Sequence, residues 1–351
     1  MPDPRCVAIL APNWLGDAVM ALPAIADLRR RFPSSRVVVA ARRSVADLFR
    51  LAAFIDDVIT MQWGGRWWRH LAFEQDIRLL HAAGAETALL LPNSFATAWL
   101  VVRAGIPERW GYASDMRGRL LTRAIPRPKG SVHQGAYYQH LVRALGIDAG
   151  PLEPMVTIPA EAIASARSLL MTRGWDGTRP LVILAPGAAY GTAKRWIPGY
   201  VARLIADLVR QRRATSVLVG SRADTATTRD ICNSVDGDVR PQVIDLTAAT
   251  TLEVLAGVLS LGQACVSNDS GAMHLAAAVD TPLVALFGPT REYETAPLTR
   301  AGGRAEVLTH PVWCRPCMLR ECPIDHRCMT GIEPARVLST VERLMAAGAA
   351  Q

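Results

Sequence analysis

Val266-Ser267-Asn268-Asp269-Ser270-Gly271-Ala272-Met273-His274-Leu275-Ala276-Ala277-Ala278 is the stretch on which the reading of the fold turns. Ahead of it, Gln263-Ala264-Cys265-Val266 reads as a short buried strand, and residues 272–278 combine good helix formers with an apolar face. A helix entered through Asn268-Asp269-Ser270-Gly271 offers unpaired backbone N–H groups and the positive end of its dipole. Gly271 lets a ligand come close, so the turn suits an anion, most naturally a diphosphate. An ordinary helix cap made by Asp or Ser has the same local sequence.

Working outward, the same strand–loop–helix unit recurs. Cys6-Val7-Ala8-Ile9-Leu10-Ala11 is a buried strand, Pro12-Asn13-Trp14-Leu15-Gly16-Asp17 a loop, and residues 18–32 a helix. Strands follow at 36–41 and 88–91, the latter leading through Pro92-Asn93-Ser94 into a helix over 95–104. The alternation restarts with strands at 181–185, 216–220, 242–246, 264–266 and 283–287 and a helix at 198–212. This pattern predicts parallel sheets covered on both faces, with ligands at the carboxyl ends of the strands. Breaks rich in Pro and Gly at 146–159 and 174–180 separate the halves. The expected architecture is α/β, with two doubly wound Rossmann-like domains facing across a cleft. Residues 1–159 form the first domain, 160–180 a linker containing a helix, and 181–333 the second domain. Residues 334–351 form a last helix, expected to pack back on the first domain.

At 351 residues the chain exceeds the usual size of one core. Half of it is hydrophobic and only 20% is charged, which excludes a disordered chain. The longest uncharged run, 87–102, is interrupted by Pro92-Asn93-Ser94 and does not read as a membrane span. No basic segment followed by an apolar one opens the sequence, so a cytoplasmic location is expected. The seven cysteines are then thiols or metal ligands rather than disulfides. A net charge of +8 allows nucleic acid, a phosphorylated substrate or an anionic membrane as partner.

Four further motifs carry chemistry. Pro186-Gly187-Ala188-Ala189-Tyr190-Gly191-Thr192-Ala193-Lys194-Arg195-Trp196 follows the first strand of the second half, where Lys194 can place a charge on a phosphate. It is not a P-loop, since Arg195 follows the lysine. Asn13-Trp14-Leu15-Gly16-Asp17 stands where a dinucleotide fold carries Gly-x-Gly-x-x-Gly, and offers Asp17 as a general base or as a helix cap. Cys314, Cys317, Cys322 and Cys328 crowd into fifteen residues, with one Cys-x-x-Cys pair and His310 and His326 nearby. They read as a structural zinc or iron–sulfur site or as reduced packing thiols. Trp63, Arg66, Trp67, Trp68 and Arg69, joined by Arg117, Arg119 and Arg123, suit an anionic membrane surface or a phosphosugar. Buried tryptophans under a loop are the alternative.

Taken together, these motifs resemble the ADP-heptose:lipopolysaccharide heptosyltransferases. Pro12 to Asp17, Pro186-Gly187-Ala188 through Ala193-Lys194-Arg195-Trp196, Ser267-Asn268-Asp269-Ser270-Gly271 with His274, Phe287-Gly288-Pro289-Thr290 and the cysteine cluster carry the resemblance. Asn13-Trp14 and the cysteines are most like the heptosyltransferase II branch. The resemblance implies a GT-B-like fold and inverting transfer of heptose from ADP-heptose to the lipopolysaccharide inner core. It implies Asp17 as base and Lys194 on the donor phosphates, with Asp269, Ser270 and Gly271 on donor diphosphate and sugar. Thr192, His274, Gly288 and Thr290 fall on the donor side. Asn13, Trp14 and Gly16 join Arg66, Arg69, Arg117, Arg119 and Arg123 on the acceptor side.

No cofactor is expected to be needed for catalysis, since Lys194 and a helix N-terminus can meet the leaving charge and no convincing Asp-x-Asp motif is present. The expected partners are ADP-heptose and the inner-core acceptor, met at the inner face of the cytoplasmic membrane, without nucleic acid. Heptosyltransferases I and III and a sugar-nucleotide epimerase on the same plan are the alternatives. A dehydrogenase lacks its glycine fingerprint here.

Overall fold

The computed structural model describes residues 3–63 and 70–349. Its contacts divide the chain into two units, Met1–Thr157 and Ile158–Gln351.

In the first unit, strands β1 (Cys6–Leu10), β2 (Arg36–Arg42), β3 (Asp57–Met61), β4 (Thr87–Leu90), β5 (Glu108–Tyr112) and β6 (Arg123–Ile125) alternate with helices α1 (Leu15–Arg31), α2 (Arg43–Arg50), α3 (His70–Ala82), α4 (Phe95–Arg103) and α5 (Gln134–Ala144). The sheet is parallel in the order β3-β2-β1-β4-β5-β6, with Val7 paired to Val37 on one side and Thr87 on the other. Because β1 and β4 are covered on both faces, they read as unbroken buried runs.

The second unit repeats the plan with β7 (Leu181–Ala185), β8 (Thr215–Leu218), β9 (Val243–Asp245), β10 (Ala264–Asn268), β11 (Leu283–Phe287) and β12 (Ala305–Thr309). Its helices are α6 (Ala160–Thr172), α7 (Pro198–Arg212), α8 (Thr225–Ser234), α9 (Leu252–Leu261), α10 (Gly271–Ala278), the single turns α11 (Glu292–Thr295) and α12 (Arg327–Thr330), and α13 (Pro334–Ala349). The sheet order is β12-β11-β10-β7-β8-β9, again parallel, with Ile183 between Val217 and Cys265. Counted from its own first strand, this is the same 3-2-1-4-5-6 order as in the first unit. In each unit the order reverses between its first and fourth strands, the crevice where α/β sheets bind ligands.

Two boundaries differ from expectation. The helix placed in the linker, α6, lies against α9 and buries Ala162, Ala166 and Leu170, so it belongs to the second unit. Helix α13 is seated on α7, β10 and β11 of that unit, with Val337, Leu338, Val341 and Leu344 entering its core. Their spacing is the i, i+4, i+7 of one helix face, and each fully buried aliphatic side chain is worth about 1.5–3 kcal/mol.

Candidate active site

Three loops at the carboxyl ends of β7, β10 and β11 meet around Asp269. Asn268 closes β10 with a buried amide that donates to Pro186 O at 2.7 Å and accepts from Trp196 N at 3.1 Å. It thereby ties both ends of the loop after β7 to the strand beside it. Lys194 Nζ donates to Asp269 Oδ2 at 2.5 Å, and Thr290 Oγ1 donates to the same oxygen at 2.7 Å. The Lys194 and Asp269 side chains are 13% and 6% exposed, so the pair is little screened by water. A residue from each loop thus fixes one carboxylate.

The start of α10 is not an ordinary side-chain cap. Ser270 is the N-cap residue, yet its side chain makes no cap bond; its hydroxyl lies 3.1 Å from that of Ser267. The first-turn N–H groups are therefore left uncapped by Ser270, beside Lys194, and can take an anion. His274 is buried on the same helix, and Thr192 is exposed in the turn before Lys194. Gly288 packs closely on the core: a Cβ there would collide with the Met329 sulfur.

The cysteine segment lies against these loops. Met318 N donates to Pro289 O at 2.9 Å, Ala193 N to Arg320 O at 3.0 Å, and Tyr190 OH to Met318 O at 2.7 Å. Gly191 is required there, because a Cβ would collide with the Arg320 carbonyl. Arg315 donates to Gly288 O at 2.7 Å and pairs with Glu292 at 2.6 Å. Cys314, Cys317, Cys322 and Cys328 all line one cavity of about 220 Å³, and His326 N donates to Cys322 Sγ at 3.3 Å. Burial, then the three neighbouring cysteines, raises the Cys328 thiol. Burial pushes Cys265 in β10 up to about 12, leaving it an inert packing thiol.

In the first unit Asp17 occupies the first turn of α1, half-buried, with Gly16 beside it and Trp14 as N-cap residue. Asn13 is exposed and Trp14 is 57% exposed, so this loop stands open. Tyr138 on α5 is buried, and burial followed by the Asp17 carboxylate keeps its hydroxyl well above the usual tyrosine range.

The basic patch changes composition. Arg117 is completely buried and its guanidinium is spent on the protein itself. It donates to Tyr112 O at 2.9 Å, to Pro92 O, to Ser94 O at 3.4 Å and to Asn93 Oδ1 at 3.3 Å. Burial lowers its pKa to about 10. Arg117 is thus a strut for the loop after β4 and not an acceptor-facing cation, as its motif position suggested. Arg119 is exposed, and Arg123 stacks 5.0 Å over Trp110. Trp63 packs edge-on against Phe73 at 5.0 Å, and buried Asp76 accepts its N–H at 2.8 Å. Arg66, Trp67, Trp68 and Arg69 lie outside the described residues.

The sequence pattern described as Glycosyltransferase family 9 (heptosyltransferase) matches residues 75–327, well over half the chain. The chain belongs to glycosyltransferase family 9. Among relatives, lipopolysaccharide heptosyltransferase 2 of Salmonella typhimurium is 28% identical, across 97% of this chain and 98% of its own. Lipooligosaccharide heptosyltransferase 2 of Haemophilus influenzae is 29% identical across 84% of this chain and 86% of its own. The structure of Escherichia coli ADP-heptose lipopolysaccharide heptosyltransferase II superposes with a TM-score of 0.83 at 26% identity, covering 97% and 99% of the two chains. The fold is GT-B-like, and the protein is a glycosyltransferase. Among the described residues no helix is long and apolar enough to cross a membrane.

For a family 9 enzyme, several residues that complete the site escaped the sequence reading. Asn268 stands in the helix-entry motif and Tyr190 in the loop motif without a role of its own, and Arg320 lies in no motif with an assigned role. Asp224 was missed too: it accepts from Ser221 N and Oγ at 2.9 and 2.7 Å and lies against Gly187. The partners of Asn268, Tyr190 and Arg320 lie 72 to 128 residues away along the chain, which no local pattern displays.

Proposed function

We propose that this enzyme transfers heptose from ADP-heptose to the inner core of lipopolysaccharide, with inversion, in the manner of heptosyltransferase II. The observation that carries the reading is the buried Lys194–Asp269–Thr290 cluster beside the uncapped start of α10, in a chain related end to end to heptosyltransferases 2. The second unit binds the nucleotide sugar, with Thr192, Lys194, Asp269, Ser270, Gly271, His274 and Thr290 on the donor. The first unit takes the acceptor, with Asn13, Trp14 and Gly16 flanking Asp17.

Asp17 accepts the proton of the attacking acceptor hydroxyl, whose oxygen forms the new bond to the anomeric carbon. The old bond from that carbon to the β-phosphate oxygen breaks, and ADP leaves with the electron pair. Lys194 and the N–H groups of α10 meet the charge that grows on the phosphate. This account asks for no catalytic metal. Asp17→Asn keeps the shape of the side chain and removes the base. Turnover should fall roughly 10²- to 10⁴-fold with ADP affinity little changed, measured as transfer from ADP-heptose to core acceptors. Near-normal turnover in a folded variant would sink the assignment.

The acceptor is a lipid, so the reaction runs at the inner face of the cytoplasmic membrane, where exposed Arg119 can meet anionic groups and Arg66 and Arg69 add positive charge by sequence. For the cysteine segment, reduced packing thiols stand against a structural metal such as zinc. The shared cavity and the N–H donated to Cys322 support the metal. Against it, among the described residues no group of three or more His, Cys, Asp or Glu is set to hold a metal ion. If the segment binds zinc, metal analysis should find about one equivalent, and Cys317→Ser should remove it. Metal-free protein of full activity would leave the thiols as packing groups.

A further inference from the structure

The charge around Asp269 does not balance the ligand proposed for it. Lys194 is the cation of the site, but at 2.5 Å from Asp269 it is already neutralised by a buried carboxylate. The start of α10 adds only about half a positive charge. A nucleoside diphosphate brings at least two negative charges, and the breaking glycosidic bond adds another. Further positive charge must come from a side chain that is not already committed.

The neighbouring arginines are committed. Arg195 faces Asp224 at 3.9 Å, Arg315 holds Glu292 at 2.6 Å, Arg291 holds Glu294 at 2.9 Å, and Arg327 holds Asp325 at 2.9 Å. Arg320 differs: among the described residues no carboxylate pairs with it, and it is exposed. Its backbone, by contrast, is fixed. The carbonyl accepts from Ala193 N, one residue before Lys194, and it leaves no space for a side chain on Gly191. Its guanidinium carbon lies 5.2 Å from the centroid of the Tyr190 ring, while Lys194 Nζ lies 4.8 Å from the same centroid. Tyr190 is in turn anchored through its hydroxyl to Met318 O. One aromatic ring therefore sets the position of both cations, and only one of them has a counter-ion.

We propose that Arg320, delivered by the cysteine segment, is a second cation for the donor diphosphate, held beside Lys194 through the shared ring of Tyr190. The guanidinium fork suits two phosphate oxygens and complements the point charge of the lysine. This rests on the reading of the Asp269 cluster as the donor site.

The test is calorimetric titration of the full chain with ADP and with adenosine at low and moderate salt. Arg320→Gln should weaken ADP roughly tenfold, as for loss of a charge-assisted contact at a partly solvated site, and should flatten the salt dependence. Adenosine, which has no phosphate, should bind Arg320→Gln as it binds the parent. Arg320→Lys should recover most of the ADP affinity. ADP affinity within twofold of the parent in Arg320→Gln, alongside a large loss in Lys194→Ala, would overturn the role of Arg320 and leave the donor site standing. Unchanged ADP affinity in both variants would overturn the donor site itself. Equal losses for ADP and adenosine would place Arg320 in loop packing and overturn the proposal.

Discussion

At the end of β10, polar side chains from Asn268 to Thr290 are buried and bonded between loops. At the end of β1, Asn13 and Trp14 lie open to solvent and Asp17 is half-buried. The two sheets share one strand order and one crevice position, so the fold does not dictate this difference. In the second unit the cost of burying Lys194 and Asp269 is offset by pairing them and adding the Thr290 bond. In the first unit the buried guanidinium of Arg117 is bonded to the carbonyl of Tyr112 and to carbonyls of the loop after β4, and it serves the scaffold. A site for a small, highly charged ligand is pre-organised by such bonds, whereas a site for a large acceptor keeps an accessible base. Three variants probe this contrast.

Lys194→Ala strikes the pre-organised side and should have the largest effect of the three. Removing one fixed positive group at a developing phosphate charge costs about 10²- to 10³-fold in kcat/KM. ADP affinity should fall with it, since the leaving group and the bound product present the same phosphates. Steady-state kinetics with calorimetry of ADP binding checks both. Retained ADP affinity would mean that Asp269 holds Lys194 for packing, and the contrast between the two units would disappear.

Arg117→Ala strikes the scaffold of the first unit. It takes the guanidinium donor from five oxygen acceptors, including Tyr112 O and Asn93 Oδ1. Each unsatisfied buried group costs about 1–3 kcal/mol, part of which water entering the space recovers, so a loss of about 3 kcal/mol is expected. Urea denaturation reads this directly. ADP binding by the second unit should be unchanged. A stable Arg117→Ala protein with a raised acceptor KM would return Arg117 to the substrate-facing patch.

How much of this was legible in the sequence follows from the same physics. Strands buried on both faces, such as β1, β7 and β11, are continuous apolar runs and were placed within a residue or two. The outer strands β3, β6 and β12 are half-exposed and carry charges, so no apolar run marks them. Helix α7 was read to its ends because Pro198 opens it and its apolar residues keep helical spacing. Within the site, Asp269 and Lys194 were legible as types next to turn signals. That they bond each other, and that Thr290 completes the trio, depends on the register of β10 between β7 and β11. Arg117 shows the opposite failure. An arginine among arginines looks like surface, and only the carbonyls that surround it reveal a buried strut.

Arg66→Ala/Arg69→Ala should have the smallest effect and sharpens the acceptor side of the contrast. Both arginines follow Trp63 in sequence, and the N–H and ring of Trp63 are held by Asp76 and Phe73 just after β3. Arginines near an anionic surface contribute about 1 kcal/mol each. Loss of two therefore raises the apparent acceptor KM roughly 5- to 30-fold at low salt, and less as salt screens the attraction. The same variant should bind vesicles of anionic lipid less tightly, while the KM for ADP-heptose stays put, because nothing in the Lys194–Asp269 cluster has been touched. The decisive comparison is kinetic, acceptor KM against donor KM in one protein at two salt concentrations. If the donor KM rises and the acceptor KM does not, the segment serves the donor, and the open, acceptor-facing character assigned to the first unit is wrong.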